Sequence, residues 1–184
     1  MVLIALLVSA AFAAAPLKTE AMLVRLESMR VDPVELAPFV GDANPDVRAR
    51  TAVSLGRMRN TSTLAALTTL VADEDSNVRL AAANALSQTA GSRILIQRRL
   101  TIETDERVRA ALVDALGLQG SAWDIDKLLE LVQLPINEDH THKEVAAAAE
   151  ALGQMAVRGN RTVQIERVCR ILVKQLRRPY NAVR

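Results

Sequence analysis

Aromatic residues are almost absent from this chain, with two Phe, one Tyr and one Trp in 184 residues. Surfaces that stack nucleobases or sugars need aromatic faces, so both ligand classes are disfavoured. A single Cys excludes a disulfide scaffold and a Cys-based zinc module, and two His leave little for a His-rich metal centre. Glycine-rich phosphate loops, nucleophile elbows and paired-carboxylate sites are missing from the sequence. The expectation is therefore a chain with no catalytic residue, cofactor, metal or small-molecule substrate. No stretch sustains the period-two alternation of a half-buried strand, so no sheet is predicted. What the chain does have is aliphatic bulk: half of its residues are hydrophobic and 24% are charged. That balance excludes a wholly disordered chain and suits helices packed closely without rings. The length allows one domain or a short repeat array.

The first charged side chain is Lys18, and the sixteen residues MVLIALLVSAAFAAAP form one apolar run. It is too short to span a bilayer, which needs about 20 residues. It matches the apolar region of a secretory signal peptide followed by small residues, although no Lys or Arg precedes it. Residues 1–13 are expected to be removed, with cleavage after Ala13 or Ala15. Pro16 would sit just after the second cut and fit a protease poorly, which favours Ala13. The mature protein is then exported, to a periplasmic or extracellular location. No Cys lies near the cut to carry a lipid.

The rest of the sequence repeats. NPDVRARTAVSLG (44–56), DSNVRLAAANALS (75–87), DERVRAALVDALG (105–117) and THKEVAAAAEALG (141–153) align without gaps. Their closing leucines, Leu55, Leu86, Leu116 and Leu152, recur every 30 to 36 residues, the mark of a solenoid. Each unit opens with a capping residue: Asn44, Asp75, Asp105 or Thr141. Pro45 follows the first cap where a missing donor costs nothing. Thr141 and Glu144 read as a capping box. Val47, Ala52 and Leu55 mark the apolar stripe of the first unit. Gly56, Ser87, Gly117 and Gly153, just past each Leu, let neighbouring helices approach.

Helices with their own apolar periodicity lie between these segments. They are predicted from Asp32 to about Val40, then over 61–72, 92–100, 121–133 and 161–178. Ser121 and Asp124 mark the start of the fourth. A leading cap helix lies within 17–31, with Met22, Leu23, Leu26 and Met29 on one side. The array proper is expected over 32–184.

An acidic or Asn turn, then Val-Arg, then Ala, then Ala-Leu-Gly resembles the HEAT repeat family in its short form, the PBS-lyase HEAT-like repeat. Val47-Arg48, Val78-Arg79 and Val108-Arg109 carry the resemblance, and the fourth copy departs with Glu144-Val145. The resemblance implies an all-α right-handed solenoid of about four helix pairs, a leading helix and a partial fifth pair. It also implies that the second helices line one face, and that this face holds a protein partner. LVRLESMR (23–30), a capped helix and DANPDVRARTAVSLGRM together resemble the start of bacterial exported proteins. Those proteins join HEAT repeats to a cyclophilin-type peptidylprolyl isomerase. That resemblance implies a catalytic domain beyond Arg184 and no isomerase activity in these residues.

Arg48, Arg79 and Arg109 share one repeat position, each preceded by an acid: Asp42, Asp73 and Glu103. They read as a structural ladder in which each Arg bonds turn carbonyls and carboxylates of its own and the next repeat. An anion-binding row is the alternative. Val145 would then break a rung and loosen the array there. An outward stripe of the second helices carries Arg50, Arg57, Asn84, Gln88, Asp114, Glu150 and Gln154. It reads either as plain solvated surface or as a partner-binding groove. As a surface residue, Asp114 is expected to tolerate replacement. His140 and His142 lie in the insertion 134–142, read as an exposed loop rather than a metal site. Residues 154–184 hold eight Lys or Arg against Glu166, net +7, in a chain of overall charge +2. This reads as a solvated face, with a membrane or an acidic partner as the alternative and no nucleic acid. Cys169 is expected to be buried beside Ile165, Val168 and Leu172. Val183-Arg184 repeats the opening Val-Arg pair, so the array is expected to be truncated at its C-terminus.

Overall fold

The computed structural model describes residues 16–28, 32–133 and 142–159, with isolated helical positions at 166, 169, 170 and 173. Among them the regular elements are all helical, as the periodicity implies. Two compact units divide the chain, residues 1–90 and 91–184. The expected signal segment 1–13 lies outside the described residues. So does most of the expected helix over 161–178. No helix among the described residues is long and apolar enough to cross a membrane.

In residues 1–90, α1 (Pro16–Ser28) precedes two helix pairs. A 3-10 turn (Pro33–Leu36) leads into α2 (Ala37–Val40), which pairs with α3 (Pro45–Met58). A second 3-10 turn (Thr61–Thr63) leads into α4 (Leu64–Leu70), which pairs with α5 (Ser76–Gln88). Among the described residues of 91–184 there are also two pairs. One is α6 (Arg93–Leu100) with α7 (Glu106–Gln119). The other is a 3-10 turn (Ala122–Asp124) and α8 (Ile125–Gln133) with α9 (His142–Gly159).

Local chemistry explains why the second helices start where they do. Asn44 Oδ1 accepts from Asp46 N, Asp75 Oδ1 from Asn77 N and Asp105 Oδ1 from Arg107 N, all within 3 Å. Each cap contributes about 1 kcal/mol. Pro45 occupies the first turn of α3, where no partner is needed for its nitrogen. The Thr141 cap lies outside the described residues. The first helices are short because their opening turns close with i+3 bonds. Thr63 N and Oγ1 both donate to Asn60 O, at 3.0 and 2.7 Å. Arg59 ends α3 in the left-handed region, φ 50°, and its N–H reaches Gly56 O.

The closing leucines form the core. Leu55 and Leu86 in the first unit, and Leu116 and Leu152 in the second, are fully buried. Each contributes about 1.5–3 kcal/mol by leaving water. α1 packs on α3 and buries Leu23 and Leu26. The second helices touch through glycine. A Cβ on Gly56 would lie 2.7 Å from Ala85 Cα, and one on Gly117 would lie 2.7 Å from Ala151 Cα. No L side chain fits at either place without the backbone moving apart.

Cys169 departs from expectation, because it is exposed. Glu166, Cys169, Arg170 and Val173 are all exposed and fall three and four residues apart, so the thiol lies on the solvent stripe of its helix.

Candidate functional site

The repeat arginines fix where the second helices stand. In the first unit the Arg48 guanidinium meets Asp73 side-on, Nε to Oδ2 at 2.7 Å and Nη2 to Oδ1 at 2.8 Å. Its Nη1 donates to Asp42 O, in the turn before its own helix, at 2.8 Å. One side chain thus ties a helix to its own turn and to the next repeat's turn. Asp73 Oδ1 also accepts from Asp75 N at 2.9 Å. Burial opposes ionisation of Asp73, but the Arg48 guanidinium and the Asp75 N–H outweigh it and hold the carboxyl below its ordinary value. The Arg48 value rises through the hydrogen bond to Asp73. Arg79 Nη1 donates to Asp73 O and Glu74 O at 3.0 and 2.9 Å. Asp42 Oδ1 holds Asn44 N at 2.8 Å.

In the second unit Arg109 Nη1 donates to Glu103 O at 3.0 Å, again the turn before its own helix. Its Nε and Nη2 reach Glu144, at 3.2 and 2.6 Å. The rung that Val145 is expected to break would start from α9 and reach the following repeat, which lies outside the described residues. Glu144, one residue earlier on α9, is buried and supplies the carboxylate. Glu103 holds Thr104 N and Asp105 N through Oε1 and Arg99 through Oε2.

Sequence reasoning missed a further clasp in this unit. Arg93 Nε donates to Asp124 Oδ2 at 2.7 Å, Gln97 Nε2 bonds Oδ1, and Ser121 N donates to Oδ2 at 2.8 Å. Burial pushes Asp124 up, but Arg93 and these donors bring it below its ordinary value. Arg93 and Gln97 lie four apart on α6, a spacing that puts both on one face. Only the Ser121–Asp124 half of the arrangement was legible.

The candidate partner-binding residues fall into two groups. In the first unit Arg57 on α3 and Asn84 and Gln88 on α5 are exposed, while Arg50 is half-buried. In the second unit Glu150 on α9 is exposed, whereas Asp114 on α7 and Gln154 on α9 are half-buried. Asp114 is thus not the freely solvated residue the pattern implied. Its Oδ1 and Gln154 Oε1 are buried without a hydrogen-bond partner. Burial raises the Asp114 pKa above its ordinary value, and the Glu150 charge adds to the effect. The tight α7–α9 approach at Gly117 leaves water little access here, with Gln154 Oε1 only 3.3 Å from a Cβ at that glycine. Ala111 and Ala147, from the same stripe, are buried as well.

Among the described residues no group of His, Cys, Asp and Glu is placed to hold a metal ion. The loop with His140 lies outside them, and His142 opens α9.

Residues 34–117 match the family model described as HEAT repeats. A search of curated proteins found no match. The matched stretch covers the first helix pair, the second, and α6 with α7 of the third. It contains all three Val-Arg pairs and the Arg48–Asp73 rung. Residues 34–117 of this chain are therefore similar to HEAT repeats, helical repeats that generally mediate contacts between proteins.

Proposed function

We propose that this chain is an exported, non-catalytic scaffold that holds a protein partner along the outward stripe of its second helices. The observation that carries this reading is the rigid presentation of Asn84 and Gln88. Both are exposed on α5, a helix capped by Asp75 and packed at Gly56. A preformed polar surface loses little entropy on binding. Within the first unit this stripe carries Arg57 beside Asn84 and Gln88, and within the second it carries Glu150, so each unit presents exposed polar and charged groups.

Photo-crosslinking amino acids at positions 84 and 88 should capture a protein in cell extract. The same probe at Thr68, exposed on first helix α4, should capture none. Capture from 68 but not from 84 or 88 would reverse the face. Export has a separate test: the mature chain should begin at Ala14, and intact Met1 in the cytoplasm would refute it.

A second reading makes the chain the N-terminal arm of an exported peptidylprolyl isomerase. It is favoured by the order of elements, a leading helix packed on α3 ahead of a Pro-started capped pair. Sequencing downstream of Arg184 decides it.

A further inference from the structure

Two acceptors sit without a donor where α7 and α9 meet. Asp114 Oδ1 and Gln154 Oε1 are both buried, and neither has a hydrogen-bond partner. The approach of Gly117 to Ala151 brings them to one joint. Asp114 lies three residues before Gly117 on α7, and Gln154 three residues after Ala151 on α9. Helical side chains lean toward the N-terminus of their helix, so Gln154 leans back over that joint. Its Oε1 lies 3.3 Å from where a Gly117 Cβ would be. Glu150, four residues before Gln154, is the charged group that acts on Asp114. The cations around the joint are engaged elsewhere or face water. Arg93 and Arg99 of α6 bond Asp124 and Glu103, and Arg98 is exposed. Arg109 of α7 bonds Glu144, and Arg107 bonds Asp105. Lys143 of α9 bonds Glu106, and α8 exposes Asp126, Lys127 and Glu130.

The joint thus holds two orphaned oxygens beside a carboxylate, and what it lacks is a hydrogen. A buried acceptor without a donor is costly, and two together double the cost. A carboxyl that keeps its proton removes both costs at once. It no longer repels Glu150, and it becomes a donor with an amide oxygen as its acceptor. We propose that Asp114 and Gln154 form a proton-dependent latch, in which the neutral Asp114 carboxyl donates to Gln154 Oε1 and ties α7 to α9. Burial and the Glu150 charge already favour the neutral carboxyl. The proton comes from solvent, so acidification closes the latch and removes one negative charge from the second unit. Above the folded-state value the latch opens, and Asp114 and Glu150 face each other as two anions. The proposal is independent of what the second-helix stripe binds.

A pH titration of the full chain by NMR, with ¹³C in the Asp and Gln side chains, tests it. The Asp114 carboxyl should titrate above 3.8, and the Gln154 side-chain amide should shift with the same midpoint. Gln154→Met keeps the bulk and removes the acceptor, so the Asp114 midpoint should fall. Glu150→Gln removes the repelling charge and should lower the midpoint too, with the Gln154 amide still following Asp114. In Asp114→Asn the Gln154 amide should lose that shift. A Gln154 amide indifferent to the Asp114 titration would overturn the proposal. So would an Asp114 midpoint that holds or rises in Gln154→Met, the result expected if Gln154 turns its NH2 group toward an ionised carboxylate. The unsubstituted chain keeps the test decisive if a variant fails to fold.

Discussion

In residues 1–90 the carboxylate that takes the repeat arginine comes from a turn, at Asp73. In residues 91–184 it comes from a helix, at Glu144. The two joints are alike on the arginine side: Arg48 and Arg109 each donate to the turn carbonyl six residues earlier. They differ on the acid side because the fourth repeat is entered through the insertion 134–142. Glu144 occupies the position held by Val47, Val78 and Val108. The arginine is thus the fixed half of the joint, and the acid can be supplied from wherever the next repeat brings one within reach. The stripes differ as well. The first unit shows Arg50 and Arg57, and the second shows Asp114 and Glu150.

The largest effect should fall on the shared core. Leu86→Ala and Leu116→Ala should each cost about 2–5 kcal/mol in urea denaturation, by similar amounts in the two units. A clear inequality would mean that one unit relaxes into the cavity and the other does not. The rungs come next. Glu144→Val restores the apolar residue of the other repeats but leaves Arg109 without its carboxylate, at about 2–3 kcal/mol. Asp73→Val should cost about 1 kcal/mol more, because it also removes the acceptor for Asp75 N. Equal costs would show that the turn bond contributes nothing.

The glycines should split by sign. Gly56→Ala and Gly117→Ala should cost about 1–3 kcal/mol by forcing helices apart. Gly153→Ala should gain about 0.5–1 kcal/mol, since it adds helix propensity where nothing obstructs a methyl. Thermal melts of the three variants check this.

The smallest effect concerns pH and separates Asp114 from Asp73. The folded-state value of Asp114 lies above its unfolded one, so its charge is penalised once pH exceeds the ordinary 3.8. Stability is lost as pH rises through the folded value. Asp114→Asn should therefore be neutral below pH 3.8 and stabilise by about 1 kcal/mol near pH 7. Asp73 and Asp124 have lowered values, so their contribution is present above 3.8 and is lost as pH falls through the folded values. Denaturant midpoints taken from pH 3 to 8 should show both limbs.

The helix order was legible because its signals are local. Asn44, Asp75 and Asp105 bond amides two residues away, and Leu55, Leu86 and Leu116 keep one phase with them. The repeat position of Arg48 and Arg109 also showed through, since it recurs. The source of the second carboxylate did not. The expected acids, Asp42, Asp73 and Glu103, precede the Val-Arg pairs in the turns, whereas Glu144 sits on α9 at the position of the valines and reaches Arg109 only in three dimensions. The burial of Asp114 was hidden for a similar reason. Its stripe position faces outward on an isolated helix, but the Gly117–Ala151 contact draws α9 over it. The error over Cys169 was one of stripe width. It lies where an apolar and a polar stripe meet, and a helical pattern cannot say which side of that edge water reaches.

The reach of the arginine rungs has a kinetic consequence. Arg48 and Asp73 are 25 residues apart, and Arg109 and Glu144 are 35 apart. The caps span two residues and the turn carbonyls six. Chain closure over such distances loses little entropy, and topologies dominated by short separations fold on microsecond to millisecond timescales. The first rung joins a helix to the turn before the next second helix, and the second joins it to the first turn of that helix itself. In the native state each guanidinium is held by its own turn carbonyl at the place where the next repeat's carboxylate meets it.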